Sequence, residues 1–594
     1  MKTEIHICSQ RLLSRKSRSA YSISIAAMVG LIVSTSFAGK PHAVPSDSWV
    51  ATDALGRTLP TYAETGDEKA DKVVGIFYFV WHGFHTQKVY DVTEILKETD
   101  ESKRQWGPEL AQHYWAEPEY GYFHSSDPWV IRRDMQMLAN AKVDFIYLDV
   151  TNGFIYENSV VQLLDVILEM RAEGINAPKV VFMTNAQTQS VASQVFNLFY
   201  EDPKYKEVWF QWEGRPLIFG LASEIESNPE LLNYFTIKRS WAWTDPSLAD
   251  HWQWLDEYPQ DFGWSESPDV PEQLAVAVAS HPFNSIGKSY SEGEQPEVFE
   301  DYTTLYTDQG LFFEEQWSRV HEVDPQVVLI SGWNEWVAMR FIRENVLPSY
   351  AGRPEMKDQT WFGDSFSAEF NRDAAPMKGG YTDNYYYQMV GHIRQFKGLA
   401  PPPERSEKLS IDIDGEFEDW ANVPVNYSDP IRDTMHRSYQ GTDPETIYTN
   451  TYGRNDIVSA RVVEGSEATY FMVTTADALT PHTDEGWMVL LIDSDQSKET
   501  GWEGYELAIN YKAASESTSV CMEWGGDQWL AVGEVQIGYD GAHLELAVPA
   551  GFFSPRDSKE GFDFKWCDNV QLDSIESFFL EGDVAPDRRF NYRY

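Results

Sequence analysis

Between residues 72 and 397, short β-branched and aromatic runs alternate with stretches whose apolar positions recur every three or four residues. Short continuous apolar runs predict buried parallel strands, and the 3.6-residue period predicts amphipathic helices packed over them. The runs fall at residues 73–80, 143–148, 179–183, 216–220, 235–239, 274–279 and 327–330. An eighth strand is expected between Trp361 and Gly380. Helices are expected from Pro128 onward, with Asp127 as cap and Ile131, Met135 and Leu138 inward, and over 161–170, 191–200 and 385–396. Strands alternating with helices over this length predict an α/β fold, a (β/α)8 TIM-type barrel.

The pattern changes at Pro401-Pro402-Pro403, a stiff linker. Beyond it, alternating segments at 468–474, 487–492, 505–509, 517–522 and 543–548 predict an antiparallel β-sandwich. The expected organisation is an export segment over 1–38, a barrel over 39–398, a linker over 399–407 and a sandwich over 408–594. The first segment has basic residues Lys2 to Arg18, an apolar core over 23–33 and a Ser36-Phe37-Ala38 cleavage site. That core is short for a bilayer span, so a secreted or periplasmic chain without stable membrane insertion is expected.

Composition narrows the partners. The 594 residues carry a formal net charge of −46, which repels nucleic acid and anionic membranes, so no nucleic-acid partner is expected. Aromatic residues make up 14%, enough for large cores and for sugar-stacking surfaces alike. Once the export segment leaves with Cys8, only Cys521 and Cys567 remain, and a Cys521–Cys567 disulfide is one expectation for an oxidising compartment, two buried thiols the other. No nucleotide-binding glycine pattern follows the first strand.

The candidate chemistry sits where strands end, the face on which barrels keep their active sites. Val327 to Ile330 runs into Ser331-Gly332-Trp333-Asn334-Glu335-Trp336, which predicts a desolvated acid at a mouth lined by indoles. Glycosidic bonds are cut by paired carboxylates, and Asp149, ending another strand, is the expected partner of Glu335. Arg340 is the expected ion-pair partner if Glu335 is structural instead. Trp81, His82, Asn152, Asn185, Arg239, Trp241, Trp254, Asp256, His281, Asn334, Trp336 and Arg340 are candidate substrate-binding residues, the arginines for anionic groups on a polymer. No cofactor is required for such chemistry; Asp493 and Asp495, close together in an acidic turn, could ligate structural calcium.

At Trp333-Asn334-Glu335-Trp336, at 77–83 and at 144–149, the first domain resembles glycoside hydrolase family 71/99-like barrels. The resemblance implies an endo-acting glycosidase with Glu335 in the position of one family 99 glutamate; the second, three residues on, is replaced by Ala338. The whole is also similar to barrels of marine polysaccharide degraders acting on sulfated, fucan-like polymers. Residues 411–420 and 493–505 resemble family 9-like carbohydrate-binding modules. The expected function is secreted endo-glycoside hydrolysis of a polysaccharide substrate, anionic and fucan-like. A neutral mannan-like substrate and a non-catalytic polysaccharide-binding protein are the alternatives.

Overall fold

The structure is a computed structural model that describes residues 42–241, 245, 247–280, 286–294, 306–342, 360–512, 514–553 and 561–594. Its first half is a nearly closed barrel of eight parallel strands. In chain order these are β1 (Val73–Tyr78), β2 (Phe145–Asp149), β3 (Lys179–Met183), β4 (Arg215–Phe219), β5 (Thr236–Trp241), β6 (His251–Gln253), β7 (Gln273–Val276) and β8 (Val327–Ile330). Consecutive strands pair in parallel except β6 and β7, and β8 pairs with β1. Inward side chains such as Phe77, Tyr147, Phe219 and Leu329 fill the centre, so the barrel is solid.

The eighth strand is β6, not an element between Trp361 and Gly380. Three residues are too few to show a periodicity, and Trp252 reads as readily as a loop aromatic. The β6–β7 seam is closed by a side chain: Gln273 Oε1 accepts from Gln253 N at 2.9 Å, and its Nε2 donates to Gln253 O at 2.8 Å. An amide can copy a backbone ladder because it carries the same donor and acceptor.

Helix α1 (Pro128–Asn140) begins as its sequence requires, with Asp127 Oδ1 accepting from Trp129 N at 3.0 Å. Its inner face meets α2 (Glu157–Ala172) and the barrel wall through Ile131, Met135 and Leu138. Later crossovers use Thr188–Val195 and Leu311–Val323, and Asn384–Lys397 closes the barrel.

The second half is a twelve-stranded, almost wholly antiparallel sheet that also recruits His42–Val44, paired in parallel with Val425–Tyr427. The sheet curls on itself: Phe471 and Phe564, from strands far apart in its order, approach to 5.7 Å. Cys521 and Cys567 are free, buried thiols. Two strands separate theirs, and the thiols lie in different hydrophobic clusters. Strands are spaced about 4.8 Å apart, which puts the pair far beyond the ~7 Å Cα limit of a disulfide.

The two halves share one continuous core and are pinned by buried charge. Arg588 forms a two-bond fork with Glu119 at 2.7 and 2.8 Å, and Arg437 Nε meets the cap residue Asp127 at 2.7 Å. The hairpin of Arg437–Gln440 and Ile447–Asn450 reaches the loop after β1, where Tyr122 N donates to Tyr448 Oη at 2.8 Å. Thus the C-terminal half buttresses the loop that frames one side of the barrel mouth.

Candidate active site

Glycine decides how β8 ends. A Cβ on Gly332 would lie 2.6 Å from Arg372 O and 2.9 Å from Asp373 Oδ1, so only a bare backbone lets residues 371–374 run alongside. That close approach is fixed by Ala374 N donating to Gly332 O at 3.0 Å and Ala375 N to Trp333 O at 3.1 Å. It delivers two charged side chains to Glu335. Asp373 Oδ1 accepts from Glu335 N at 2.6 Å, holding the backbone, and Arg372 Nη2 pairs directly with Glu335 Oε2.

Arg372 is wholly buried and Glu335 is 5% exposed. Arg372 Nη2 also lies 3.5 Å from Oδ1 of Asp364, whose side chain is 40% exposed. The guanidinium sits 5.7 Å from the Trp254 ring, itself held by an indole bond of 3.1 Å to Ser331 O. Nε and Nη1 of Arg372 are buried without a hydrogen-bond partner.

Burial pushes the Glu335 carboxyl well above the usual carboxylate range; Arg372 pulls it back, and the charges of Asp364, Asp373 and Asp149 push it further up. Asp149, 8% exposed at the end of β2, is also raised by burial, with Asp364 adding to the effect. Its Oδ1 accepts from Thr151 N at 3.0 Å and Thr151 Oγ1 at 2.7 Å, which leaves Oδ2 the freer oxygen. Glu335, Asp149 and Asp364 therefore form one electrostatically linked group around a single arginine. A partly protonated acid beside carboxylates of different exposure is the arrangement that separates an acid from a base.

Several expected roles change. Trp336 is 1% exposed and stacks on Trp115 at 4.6 Å; Trp333 packs edge-on against Tyr386 at 6.0 Å. Both indoles belong to the core and neither lines the mouth, because the turn after β8 sends them outward between barrel and helices. Asn334 spends its amide on the Phe79 backbone, accepting from N at 2.7 Å and donating to O at 3.1 Å. Arg340 does not pair with Glu335: it donates to Gly107 O at 3.0 Å and Thr360 Oγ1 at 3.1 Å, bracing a small sheet of Gln112–Tyr114, Val337–Ile342 and Thr360–Phe362. Ala338 is buried in that sheet opposite His113. Asp256 accepts from Gln253 Nε2, Glu257 N and Asp261 N at 2.8–3.0 Å, which fixes its turn. His82, 1% exposed, bonds Ser125 Oγ at 2.8 Å, and burial lowers its pKa to about 3, so it is a neutral ring behind Trp81.

Other residues stay at the mouth. Trp81 is half-buried beside Phe79 at 5.8 Å with its indole N–H unpaired, and Trp241 lies 6.1 Å from Trp254. Arg239 Nη1 donates to Asn185 Oδ1 at 3.0 Å, joining two of the expected residues. Asn152 Nδ2 donates to Tyr156 Oη at 3.2 Å, and that hydroxyl meets His85 Nε2 at 2.6 Å. Around this group Phe84 is 39% and Phe154 59% exposed, an aromatic ridge on the loops after β1 and β2. His281 lies outside the described residues. Asp364 and Arg372 complete the charge group; the adjacent Arg372-Asp373 pair was the one signal for that segment in the sequence.

In the C-terminal half, carboxylate oxygens of Asp493, Asp495 and Glu506 converge within 4.8 Å, and burial with neighbouring acids pushes Asp493 up to about 8.

No family model matches the chain, and no curated protein does. Two solved structures, both of the GH99 endo-alpha-mannosidase from Bacteroides thetaiotaomicron and one in complex with BIS-TRIS-propane, are similar to it in part. They show 13% and 14% identity, cover 55% and 54% of this chain and 97% of their own, and give TM-scores of 0.32 and 0.31. At these values the likeness names neither a reaction nor a substrate for this chain.

Proposed function

We propose that the protein is an endo-acting glycoside hydrolase that cleaves a polysaccharide by carboxylate acid/base chemistry. The observation that carries this reading is the placement of two buried carboxylates where barrel strands end, Asp149 as the last residue of β2 and Glu335 just beyond β8, the latter paired with Arg372. Glu335 is the general acid, its proton affinity raised by desolvation and by three neighbouring acids against the pull of Arg372. Asp149 is the partner carboxylate, and Asp364 sets the proton balance between them. Asp373 and Gly332 position Glu335 without touching substrate. Trp81, Trp241 and the Phe84–Phe154 ridge offer ring faces to sugar C–H surfaces, with buried Trp254 behind Trp241.

An anionic, fucan-like polymer is the favoured substrate, supported by Arg239 at the mouth, whose guanidinium has a neutral amide as partner. Arg372 and Arg340 do not serve this purpose, being engaged elsewhere. A neutral mannan-like glycan is the second substrate to test. The chain is proposed to act outside the cytoplasm, from the export pattern of residues 1–38; among the described residues no helix is long and apolar enough to cross a membrane. The reaction needs carboxylates alone, and calcium is proposed for the turn of Asp493 and Asp495 as a stabilising ion. The test is release of new reducing ends from a panel of sulfated and neutral polysaccharides.

A further inference from the structure

A second acidic group is buried where the curled sheet meets the barrel, and it shares no residue with the turn of Asp493 and Asp495. Asp429 follows the strand Val425–Ser428, Asp433 lies four residues on, and Asp583 opens the strand Asp583–Ala585. They are 8%, 5% and 3% exposed, and one carboxylate oxygen from each lies within 4.8 Å of the other two.

Each acid is held by a single donor of a different origin. Tyr592 Oη donates to Asp429 Oδ1 at 3.3 Å, Gln136 Nε2 to Asp433 Oδ2 at 3.2 Å, and Ile457 N to Asp583 Oδ2 at 2.6 Å. That leaves Asp429 Oδ2 and Asp433 Oδ1 buried with no donor among the described residues, the Asp433 carboxyl lying against that of Asp456. A third orphan comes from a residue that is not an acid. Gln136, on α1 of the barrel and 1% exposed, has its Oε1 unpartnered while its Nε2 is bound to Asp433. Three unpaired hard oxygens thus belong to side chains of one buried cluster drawn from both halves of the chain.

Buried carboxylates left unpaired cost several kcal/mol each by general experience, so such a group persists only with compensation. A calcium ion takes oxygen ligands at about 2.3–2.6 Å, so its ligands stand no more than roughly 4.6–5.2 Å apart, and the three carboxylate oxygens lie close enough together to share one ion. We propose that Asp429, Asp433 and Asp583 bind a calcium ion, with Gln136 Oε1 as the barrel's ligand, and that this ion fastens the C-terminal sheet to the barrel.

The surrounding charges are consistent with that reading. Burial first, and then the neighbouring acids, push Asp429 and Asp583 well up and Asp433 up to about 7. Asp456 and Asp587 add negative charge nearby; Arg133 offsets part of it at Asp433, and buried Lys565 part of it at Asp429. Without a cation the only way to neutralise the group is with protons, and the two states respond oppositely to calcium and pH.

The experiment uses the full chain stripped with chelator, titrated with Ca²⁺ at pH 7.5 and followed by calorimetry and thermal melting. Wild type and Asp495→Asn should both bind calcium and melt at higher temperature with it. Asp433→Asn should lose at least the roughly 10- to 100-fold in affinity that removal of even an outer-shell partner costs. The proposal is overturned if wild type binds no calcium at millimolar concentration and melts lower as pH rises from 5 to 8 whether or not calcium is present. It is equally overturned if binding disappears in Asp495→Asn and persists in Asp433→Asn. Should Asp433→Asn not fold, the Asp495→Asn titration decides alone: retained calcium binding with a raised melting temperature supports the site, and none overturns it.

Discussion

Replacing Glu335 by glutamine separates a proton donor from an ordinary ion pair before any substrate is known. The wild-type carboxyl is raised in the folded protein, because burial and three neighbouring acids outweigh Arg372. A raised acid binds its proton more tightly folded than unfolded. Its stabilisation is therefore complete below the unfolded pKa of about 4.3 and is lost as pH climbs toward the folded value. The loss is about 1.4 kcal/mol per pH unit across that window. Glutamine has the same shape and no proton to lose, so the difference in unfolding free energy, variant minus wild type, should grow as pH rises above the unfolded pKa, by up to about 1.4 kcal/mol per unit. The attraction of Arg372 for ionised Glu335 is already part of that net shift, and Asp364 at 3.5 Å remains as a partner for Arg372 in the variant. The assay is urea unfolding read by tryptophan fluorescence at several pH values. A flat difference, or wild type gaining on the variant as pH rises, would refute the reasoning: Arg372 would then hold Glu335 ionised, and the acid would be structural.

Asp364→Asn removes a charge that raises both Glu335 and Asp149, so the basic limb of the pH–rate profile should move to lower pH, while Asn at Asp256, remote from that charge group, leaves it in place. Gly332→Ala forces a methyl against Arg372 O, 2.6 Å from the ideal Cβ; it should cost ~1–3 kcal/mol in denaturant melts and lower turnover, and unchanged melting with full turnover would contradict the tight approach. Cys521 and Cys567 should both resist a maleimide in the native protein and both react after unfolding without reductant; recovery of no free thiol from the unfolded chain would restore the disulfide.

The barrel was legible because seven of its strands are apolar runs long enough to stand out between helices. β6 was not, since His251–Gln253 has three residues and its seam is completed by Gln273, a contact that no local pattern announces. Half of the site was legible for the same reason: Glu335 and Asp149 sit where strands stop. The other half lies in the irregular stretch that carries Asp364, Arg372 and Asp373, which sequence periodicity could only mistake for a strand. The two indoles misled because tryptophan next to an acid suggests a sugar platform, whereas Trp333 and Trp336 have turned into the core. The proline segment suggested a stiff linker between two separate domains, yet Arg588, Arg437 and the shared core join the halves directly, through partners hundreds of residues apart.

The central claim is that Glu335 and Asp149 cut glycosidic bonds. It is tested most directly by measuring new reducing ends from sulfated and neutral polysaccharides with wild type, Glu335→Gln and Asp149→Asn, each shown to be folded. Wild type should release oligosaccharides from at least one polymer, and each variant should fall by at least about 100-fold on it. A wild type that binds such a polymer yet releases nothing from any of them, or a Glu335→Gln variant with near-normal turnover, would contradict the account.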